Sequence, residues 1–271
     1  MSKTLYVSDL DGTLLGSSVR ISEYTGRVVN DFIKSGGIFS YATARSASTA
    51  SKVTEGLAGG FPIIVYNGVF VMENGSGKRL LSNLFNAGEA QDILALLIES
   101  GVSPIVYSLQ DGREKYSYVK SEVNQAMQDF FDNRKGDYRD NPVVSREMLW
   151  KGEIFYFTCI DDESKLFPIY SRIKDKYNCV YQKDIYTGEQ WLEIMPEKAT
   201  KANAILGLKE YLGCDKIVSF GDGYNDISMF KISDECYAVE NAVEELKQIA
   251  TAVIESNDND GVAKHILNRA L

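Results

Sequence analysis

The sequence predicts an α/β fold in which a parallel-sheet core is interrupted by an inserted α+β domain. Short apolar runs alternate with amphipathic helical stripes in residues 1–82, and this alternation resumes after Trp191. Strands separated by helices are typical of βαβ units in a parallel sheet. Residues 83–190 instead carry amphipathic helices among tyrosine-rich strands. We therefore expect a core of residues 1–82 and 191–271 and an insert of residues 83–190.

The core elements are predicted from apolar spacing and turn residues. The first helix has a stripe at Val28, Val29, Phe32 and Ile33 and ends at Gly36-Gly37. Asn74-Gly75 at the centre of Phe70–Leu81 is typical of a β-hairpin. In chain order, the other expected elements are strands at Leu5–Ser8, Ile38–Ala42 and Ile63–Tyr66, a helix at Ala204–Leu212, strands at Ile217–Phe220, Tyr237–Val239 and Ala252–Ile254, and a closing helix.

The insert has two predicted amphipathic helices and a strand at Ile154–Cys159. Its helical stripes are Ile93, Leu94, Leu97 and Ile98, and then Val123, Met127, Phe130 and Phe131. The insert also has five tyrosines that either pack within strands or stack on the ring of a ligand: Tyr116, Tyr118, Tyr156, Tyr181 and Tyr186. Strand packing is the expectation for any one of them.

Composition excludes several classes of function. The chain has 271 residues and a net charge of −9, which argues against a protein that binds nucleic-acid phosphates. It has no long apolar run, and its first residues lead directly into a strand, so we expect a cytoplasmic protein without membrane contact. No obligate protein partner is evident. The scattered cysteines are expected to be free thiols: Cys159, Cys179, Cys214 and Cys236.

Two carboxylates at the end of the first strand are the main candidates for chemistry. Asp9 and Asp11 follow an apolar run, and the carboxyl ends of strands in open α/β sheets line the ligand crevice. They could hold Mg²⁺, or one could attack phosphorus while the other moves protons. An acidic turn without chemistry is the alternative. A calcium loop is disfavoured, because its twelfth position would be Arg20, which cannot be a ligand. The lone histidine, His265, fits a helical apolar pattern and is not expected to be catalytic.

Three further polar clusters lie at predicted strand ends or helix starts. Thr43 could bind an oxyanion, or it could simply cap a helix. Lys201 could bind an anion, or it could be a surface lysine. The segment Gly221-Asp222-Gly223-Tyr224-Asn225-Asp226 offers oxygen ligands in a tight turn, although its Asp and Asn could also be helix caps. Because all these clusters converge on one sheet edge, we expect a single site.

These motifs resemble those of the haloacid dehalogenase-like hydrolases, specifically the Cof-type phosphatases with a class IIB α/β cap. Asp9-Leu10-Asp11-Gly12-Thr13 is similar to the first motif of that family, Thr43 to the second, Lys201 to the third and Gly221–Asp226 to the fourth. Two further segments resemble accessory signatures of the family. They are Asn67-Gly68 and Asn257-Asp258-Asn259-Asp260-Gly261-Val262. Because Lys201 lacks the glycine that often flanks the family lysine, Lys198 is a rival for the third motif.

The resemblance implies a Rossmann-like core with a substrate-selecting cap. It also implies a magnesium-dependent phosphatase that acts on small phosphate monoesters. Sugar phosphates are the expected class, and pyridoxal phosphate, flavin mononucleotide and nucleotides are the competing substrates. The resemblance further implies that Asp9 is the nucleophile and that Asp11 is the general acid and base. Mg²⁺ would be held by Asp9, the Asp11 carbonyl and Asp222. The remaining implied roles are phosphate binding by Thr43, Lys201 and Asn225, and support from Gly12, Arg45, Asn67 and Asp226.

Two other functions are compatible with the resemblance. A sugar phosphomutase would need a basic cluster in the insert for a second phosphate, and the sequence has no convincing one. A catalytically silent metabolite-binding regulator would be expected to have lost one of the four motifs. All four are present, so a phosphatase is the favoured interpretation.

Overall fold

The computed structural model describes residues 2–183 and 188–270, and it divides the chain into two compact units. One unit comprises Met1–Ser82 and Ala199–Leu271, and the other comprises Asn83–Lys198. The second unit therefore extends beyond the expected boundary at residue 190. The physical reason is that the strand Gln190–Met195 pairs with the strand Glu153–Asp161 of the insert.

The first unit is built on a parallel sheet, as predicted. Its N-terminal segment contains the following elements: β1 (Thr4–Ser8), α1 (Glu23–Lys34), β2 (Ile38–Tyr41), α2 (Ala47–Val53), β3 (Pro62–Val65), β4 (Phe70–Glu73) and β5 (Arg79–Ser82). Helix α1 begins where the Ser22 hydroxyl accepts the Thr25 N–H at 2.9 Å, and it buries Val28, Val29 and Phe32. The predicted hairpin is confirmed as β4 and β5, and β3 pairs antiparallel with β4.

The second unit has a six-stranded sheet with helices. Its elements are α3 (Ala87–Glu99), β6 (Ile105–Gln110), β7 (Arg113–Val119), α4 (Gln125–Asp132), β8 (Asp140–Val143), β9 (Glu153–Asp161), α5 (Glu163–Ile173), β10 (Asn178–Lys183) and β11 (Gln190–Met195). The strand order is β10-β11-β9-β6-β7-β8, antiparallel except between β7 and β8. Leu94 and Leu97 of α3 join Ile169 of α5 in a core with Phe157 and Leu192.

The aromatic residues of this unit pack against one another. Tyr116 and Tyr118 are buried, and Tyr118 stacks on Phe131 with ring centroids 3.8 Å apart. Tyr181 stacks on Tyr170 at 4.7 Å. These contacts fit the strand-packing interpretation, since each ring gains apolar contact area within the unit. Tyr156 is also buried, whereas Tyr186 lies outside the described residues.

The C-terminal segment returns to the first unit and completes its sheet. It contains α6 (Lys201–Leu212), β12 (Lys216–Gly221), α7 (Ile227–Lys231), β13 (Glu235–Val239), α8 (Glu244–Ile249), β14 (Ala252–Ile254) and α9 (Gly261–Ala270). The sheet order is β14-β13-β12-β1-β2, with every neighbouring pair parallel. The carboxyl ends of β1 and β12 are therefore adjacent, which brings together the loops that follow them.

The cysteines, the lone histidine and the lengths of the helices bear on further expectations from the sequence. All four cysteines are free, as predicted. His265 packs on Tyr237 and Phe220, with ring centroids 3.9 and 5.4 Å away, so helix packing accounts for it. Among the described helices, none combines the length and the apolar character needed to cross a bilayer.

Candidate active site

The centre of the site is a buried lysine between two buried aspartates. The Lys201 ammonium donates to Asp9 Oδ1 at 2.5 Å and to Asp226 Oδ1 at 2.8 Å. Asp9 follows β1, Asp226 lies in the turn after β12, and Lys201 is the first residue of α6. All three side chains are buried, so Lys201 is not the surface lysine of the alternative interpretation. Its rival Lys198 is exposed.

Asp222 approaches the same centre from the end of β12. Its Oδ1 accepts the Thr13 hydroxyl at 2.9 Å, and carboxylate oxygens of Asp9, Asp222 and Asp226 lie within 4.8 Å of one another. Carboxylates at this separation are suitable ligands for a hard cation such as Mg²⁺. Asp226 Oδ2 accepts the backbone N–H groups of Asp222 and Gly223 at 3.0 and 3.1 Å. Both Asp226 oxygens are thus engaged, which leaves Asp9 and Asp222 as the better candidates for ligands.

Gly12 allows the two carboxylate-bearing loops to meet. Its φ is +79°, and a Cβ built on it would lie 2.4 Å from Asp222 Oδ2. A side chain at this position would be strained and would displace the Asp222 carboxylate. Thr13, which donates to Asp222, belongs to the first motif but is not among the predicted site residues. Its position directly after Gly12 is the signal that could have identified it.

Asp11 forms an ion pair with Arg45. Arg45 donates from Nε to Asp11 Oδ2 at 2.8 Å and from Nη2 to Asp11 Oδ1 at 2.6 Å. This bidentate ion pair places one hydrogen bond on each oxygen of Asp11. Each oxygen keeps a further lone pair, through which Asp11 could exchange a proton with a substrate while it is paired with Arg45.

Thr43 and Asn67 lie together on the loops after β2 and β3. The Thr43 hydroxyl accepts the Arg45 N–H at 3.1 Å, and the Thr43 carbonyl accepts the Asn67 N–H at 2.9 Å. A hydroxyl that accepts one hydrogen bond can still donate another to an oxyanion. The helix-cap interpretation of Thr43 is wrong, because Ser46 caps α2. Asn225 is exposed in the turn after β12, so of the predicted phosphate-binding residues only Thr43 and Lys201 are buried.

Burial and mutual repulsion control the charges of the cluster. Burial raises the pKa of Asp9 well above its usual range; Asp226 and Asp222 add to this effect, and Lys201 opposes it. Burial also raises the pKa of Asp222. Although burial disfavours its charged form, the pKa of Lys201 is raised by Asp226 and Asp9. A divalent cation would offset the carboxylate repulsion, so the residues present fit Mg²⁺.

Binding of Mg²⁺ should therefore stabilise the fold. At a Mg²⁺ concentration ten times its Kd, we expect the free energy of unfolding to rise by about 1.4 kcal/mol. Asp222→Asn should lose most of this increment, because it removes one ligand charge. Thermal unfolding with and without Mg²⁺ measures the effect. Asp31→Asn is the control, because Asp31 is an exposed residue of α1 that pairs with Lys34 at 3.6 Å. If Mg²⁺ raised the free energy of unfolding equally in both variants, Asp222 would not be a ligand of the metal ion.

The start of α6, which carries Lys201, packs closely against the turn of residues 66–68. Tyr66, Asn67 and Gly68 have φ values of +51°, +53° and +100°. A Cβ on Gly68 would lie 2.2 Å from the Thr200 carbonyl oxygen, and Thr200 caps α6 by accepting the Asn203 N–H at 3.1 Å. Glycine at position 68 therefore lets the start of α6 approach this turn.

We expect Gly68→Ala to destabilise the protein more than Gly36→Ala. Gly36 has a similar φ of +94°, but a Cβ there would meet nothing within 4 Å, so that variant measures backbone strain alone. The collision with Thr200 should cost about 1–3 kcal/mol more. Urea unfolding of the two variants gives the difference. Equal losses would mean that the start of α6 adjusts without cost.

Comparisons with known proteins were consistent in family and fold. The sequence profile of the family described as haloacid dehalogenase-like hydrolase matches residues 6–266. The chain is 28% identical to the 5-amino-6-(5-phospho-D-ribitylamino)uracil phosphatase YwtE of Bacillus subtilis, and the alignment covers 95% of each. It is 23% identical to YitU, a phosphatase of the same name from Bacillus subtilis, with 97% of the chain and 96% of the relative covered.

Solved structures have the same architecture. A crystal structure from Thermotoga maritima superposes with a TM-score of 0.80 at 26% identity and covers 99% of this chain and 97% of that one. A haloacid dehalogenase-like hydrolase from Bacteroides thetaiotaomicron has a TM-score of 0.77 at 23% identity, with 98% and 99% covered. The predicted fold class, a Rossmann-like core with a cap unit, is confirmed by this likeness.

Proposed function

Because this chain belongs to the haloacid dehalogenase-like hydrolase family and is a phosphatase, we propose that it hydrolyses small phosphate monoesters with Mg²⁺ through an aspartyl-phosphate on Asp9. The observation that carries the proposal is the contact of Lys201 with Asp9 and Asp226 beside Asp222. This arrangement provides a nucleophile, a cation for phosphoryl oxygens and ligands for a metal ion.

In the first step, a carboxylate oxygen of Asp9 attacks phosphorus and the bond from phosphorus to the leaving oxygen breaks. Asp11, which becomes protonated as substrate binds, transfers this proton to that oxygen, so the alcohol leaves neutral and Asp11 becomes a carboxylate. In the second step, Asp11 takes a proton from water, and the water oxygen attacks phosphorus. The bond between Asp9 and phosphorus breaks, which returns the Asp9 carboxylate and gives inorganic phosphate.

Local charge explains why a metal ion is needed. The carboxylates of Asp9, Asp11, Asp222 and Asp226 face two cations, Lys201 and Arg45. A phosphate dianion would be repelled by this excess of negative charge. Held by Asp9, Asp222 and the Asp11 carbonyl, Mg²⁺ would neutralise the excess and polarise the phosphoryl group. Lys201 and Thr43 would bind other phosphoryl oxygens, and Asn225 would have to reach them from its exposed position.

Supporting roles follow from the contacts. Asp226 would hold Lys201 and the backbone of Asp222 in place, and Gly12 would leave space for Asp222. Arg45 would orient the Asp11 carboxylate. Asn67 would support Thr43 through its backbone.

We place substrate selection in the insert, since every residue assigned to phosphoryl transfer lies in the other unit. Sugar phosphates are the proposed class, and the names of YwtE and YitU make ribityl phosphates a specific candidate. We also propose a cytoplasmic location.

A turnover screen tests the proposed function. Purified protein is assayed for phosphate release from a panel of sugar phosphates, ribityl phosphates, nucleotides and pyridoxal phosphate. We expect release with Mg²⁺ and none with a strong chelator. Calcium should bind but inhibit, because its longer and more variable coordination disturbs in-line geometry. Full activity in the chelator would rule out the metal role, and conversion of one phosphate isomer into another would indicate a mutase.

A further inference from the structure

Two asparagine side chains hold the loop that follows β1. Within that loop, the N–H groups of Thr13, Leu14 and Leu15 all point to the Leu10 carbonyl, at 3.3, 3.1 and 2.9 Å. The Gly12 carbonyl accepts Asn241 Nδ2 at 2.7 Å, and the Leu15 carbonyl accepts Asn257 Nδ2 at 2.9 Å. Asn241 and Asn257 therefore hold two carbonyl groups of this loop, although both residues are more than 220 positions away in the chain.

Asn241 also belongs to the segment that holds the other carboxylate-bearing loop. Asn241 follows β13, and two residues later the Val243 N–H donates to the Asp222 carbonyl at 2.8 Å. The segment 241–243 thus bonds to Gly12 on one loop and to Asp222 on the other. These two loops meet closely, since the Thr13 hydroxyl donates to Asp222 and Gly12 has no room for a side chain.

From this geometry we propose that Asn241 is a positioning residue, which holds the Asp11-Gly12 segment in register with Asp222. The inference rests on the proposed function, in which Asp9, Asp222 and the Asp11 carbonyl bind Mg²⁺ and Asp11 moves protons. The Gly12 carbonyl is one peptide unit away from that of Asp11. Movement of Gly12 would therefore shift both the Asp11 carbonyl and its side chain.

An asparagine suits this position because its amide donates and accepts at the same time. While Nδ2 donates to Gly12, Oδ1 accepts the Asn257 N–H at 3.1 Å. Asp258 continues the connection by accepting the Ser17 N–H at 2.7 Å and the Ser17 hydroxyl at 2.5 Å. Asn257 and Asp258 of the C-terminal motif would thus support the loop after β1, through Asn241 and Ser17.

The chain contains a matched control for removing this asparagine. Asn30 in α1 bridges two backbone groups in the same way, because its Nδ2 donates to the Gly56 carbonyl at 2.8 Å and its Oδ1 accepts the Ala58 N–H at 2.7 Å. Neither bridged residue belongs to the proposed site. Asn241→Ala and Asn30→Ala therefore each delete one donor and one acceptor contact to the backbone, and only the first should disturb the site.

We expect Asn241→Ala to lower kcat by about 10- to 100-fold and to raise the Mg²⁺ concentration for half-maximal thermal stabilisation by a similar factor. The KM for the best monoester should change much less. Asn30→Ala should leave kcat and the Mg²⁺ requirement unchanged, although its melting temperature falls. If both variants lose stability alike and neither changes kcat or the Mg²⁺ midpoint, Asn241 is only structural and the inference is overturned.

Two additional measurements separate the possible failures. If wild-type protein hydrolyses no monoester, the proposed function fails, and the Mg²⁺ midpoint from thermal unfolding still tests the position of Asn241. If Asn241→Ala does not fold, Asn241→Asp retains the acceptor for Asn257 and loses the donor to Gly12. Its kcat is then compared with that of Asn30→Asp. A selective loss in Asn241→Asp supports the inference, and equal values overturn it.

Discussion

Replacing Asp9 by asparagine is expected to lower phosphate monoester turnover by about 10⁴-fold or more while the fold stays intact. The amide has almost the same shape as the carboxylate, but it is not a nucleophile and carries no charge for a metal ion. Asp226 would still pair with Lys201 at 2.8 Å, so the lysine is not left without a partner. Because burial raises the pKa of Asp9, loss of its charge should cost little stability.

Phosphate release under saturating Mg²⁺ measures this loss, and thermal unfolding checks the fold. Asp31→Asn makes the same chemical change at an exposed position of α1 and should keep full activity. Deamidation of the variant is excluded by its intact mass. If Asp9→Asn kept a tenth of the wild-type turnover in such a preparation, Asp9 would not be the nucleophile.

Replacing Lys201 by methionine should reduce both stability and activity. The variant leaves the buried carboxylates of Asp9 and Asp226 facing each other without the ammonium between them. Removing one partner of a buried ion pair typically costs about 3–5 kcal/mol. Activity should also fall, since Lys201 contacts the oxygen of the proposed nucleophile.

The stability loss in Lys201→Met should depend on pH. Burial already raises the pKa of Asp9, and Lys201 opposes this effect, so its removal raises that pKa further. A carboxyl group whose pKa is higher in the folded state destabilises the fold at high pH, and protonation relieves the cost as the pH falls. The difference in unfolding free energy between variant and wild type, measured in chelator, should therefore be larger at pH 8 than at pH 5.

Lys198→Met provides the comparison for this experiment. Lys198 is exposed and precedes Lys201 by three residues, and it was the rival for the third motif. Its replacement should change stability and turnover little. If Lys198→Met instead caused the larger loss of turnover, the phosphate-binding lysine would have been assigned to the wrong residue.

Much of the fold could be predicted because it depends on local patterns. The spacing of Val28, Val29 and Phe32 identifies α1, and Asn74-Gly75 identifies the hairpin of β4 and β5. The insert extends to Lys198 instead of ending at residue 190, because β11 pairs with β9. Local sequence patterns do not reveal such pairing between distant segments. Helix α6 begins at Lys201, three residues before its predicted apolar stretch, because Thr200 caps it.

Site residues could be predicted where a sequence motif contains the carboxylate or ammonium group itself. Three of these residues lie in the loops after the adjacent strands β1 and β12, and the fourth begins α6. The structure brings their side chains together: Asp9, Asp222, Asp226 and Lys201. The bond from Thr13 to Asp222, the bridge made by Asn241 and the pairing of Asp11 with Arg45 were not predicted. Each depends on a side-chain rotamer and on contacts between segments that are far apart in the chain. Motif spacing encodes neither of these.

The most direct test of the account is detection of the covalent intermediate on Asp9. Wild-type protein is mixed with its best monoester and Mg²⁺, quenched in acid during turnover, reduced with borohydride and digested. Borohydride converts an aspartyl-phosphate into homoserine, which fragment masses locate in the peptide. We predict homoserine at position 9 during turnover, and none without substrate or in Asp9→Asn. Rapid turnover with no modification at position 9, or with modification at another carboxylate, would contradict the account.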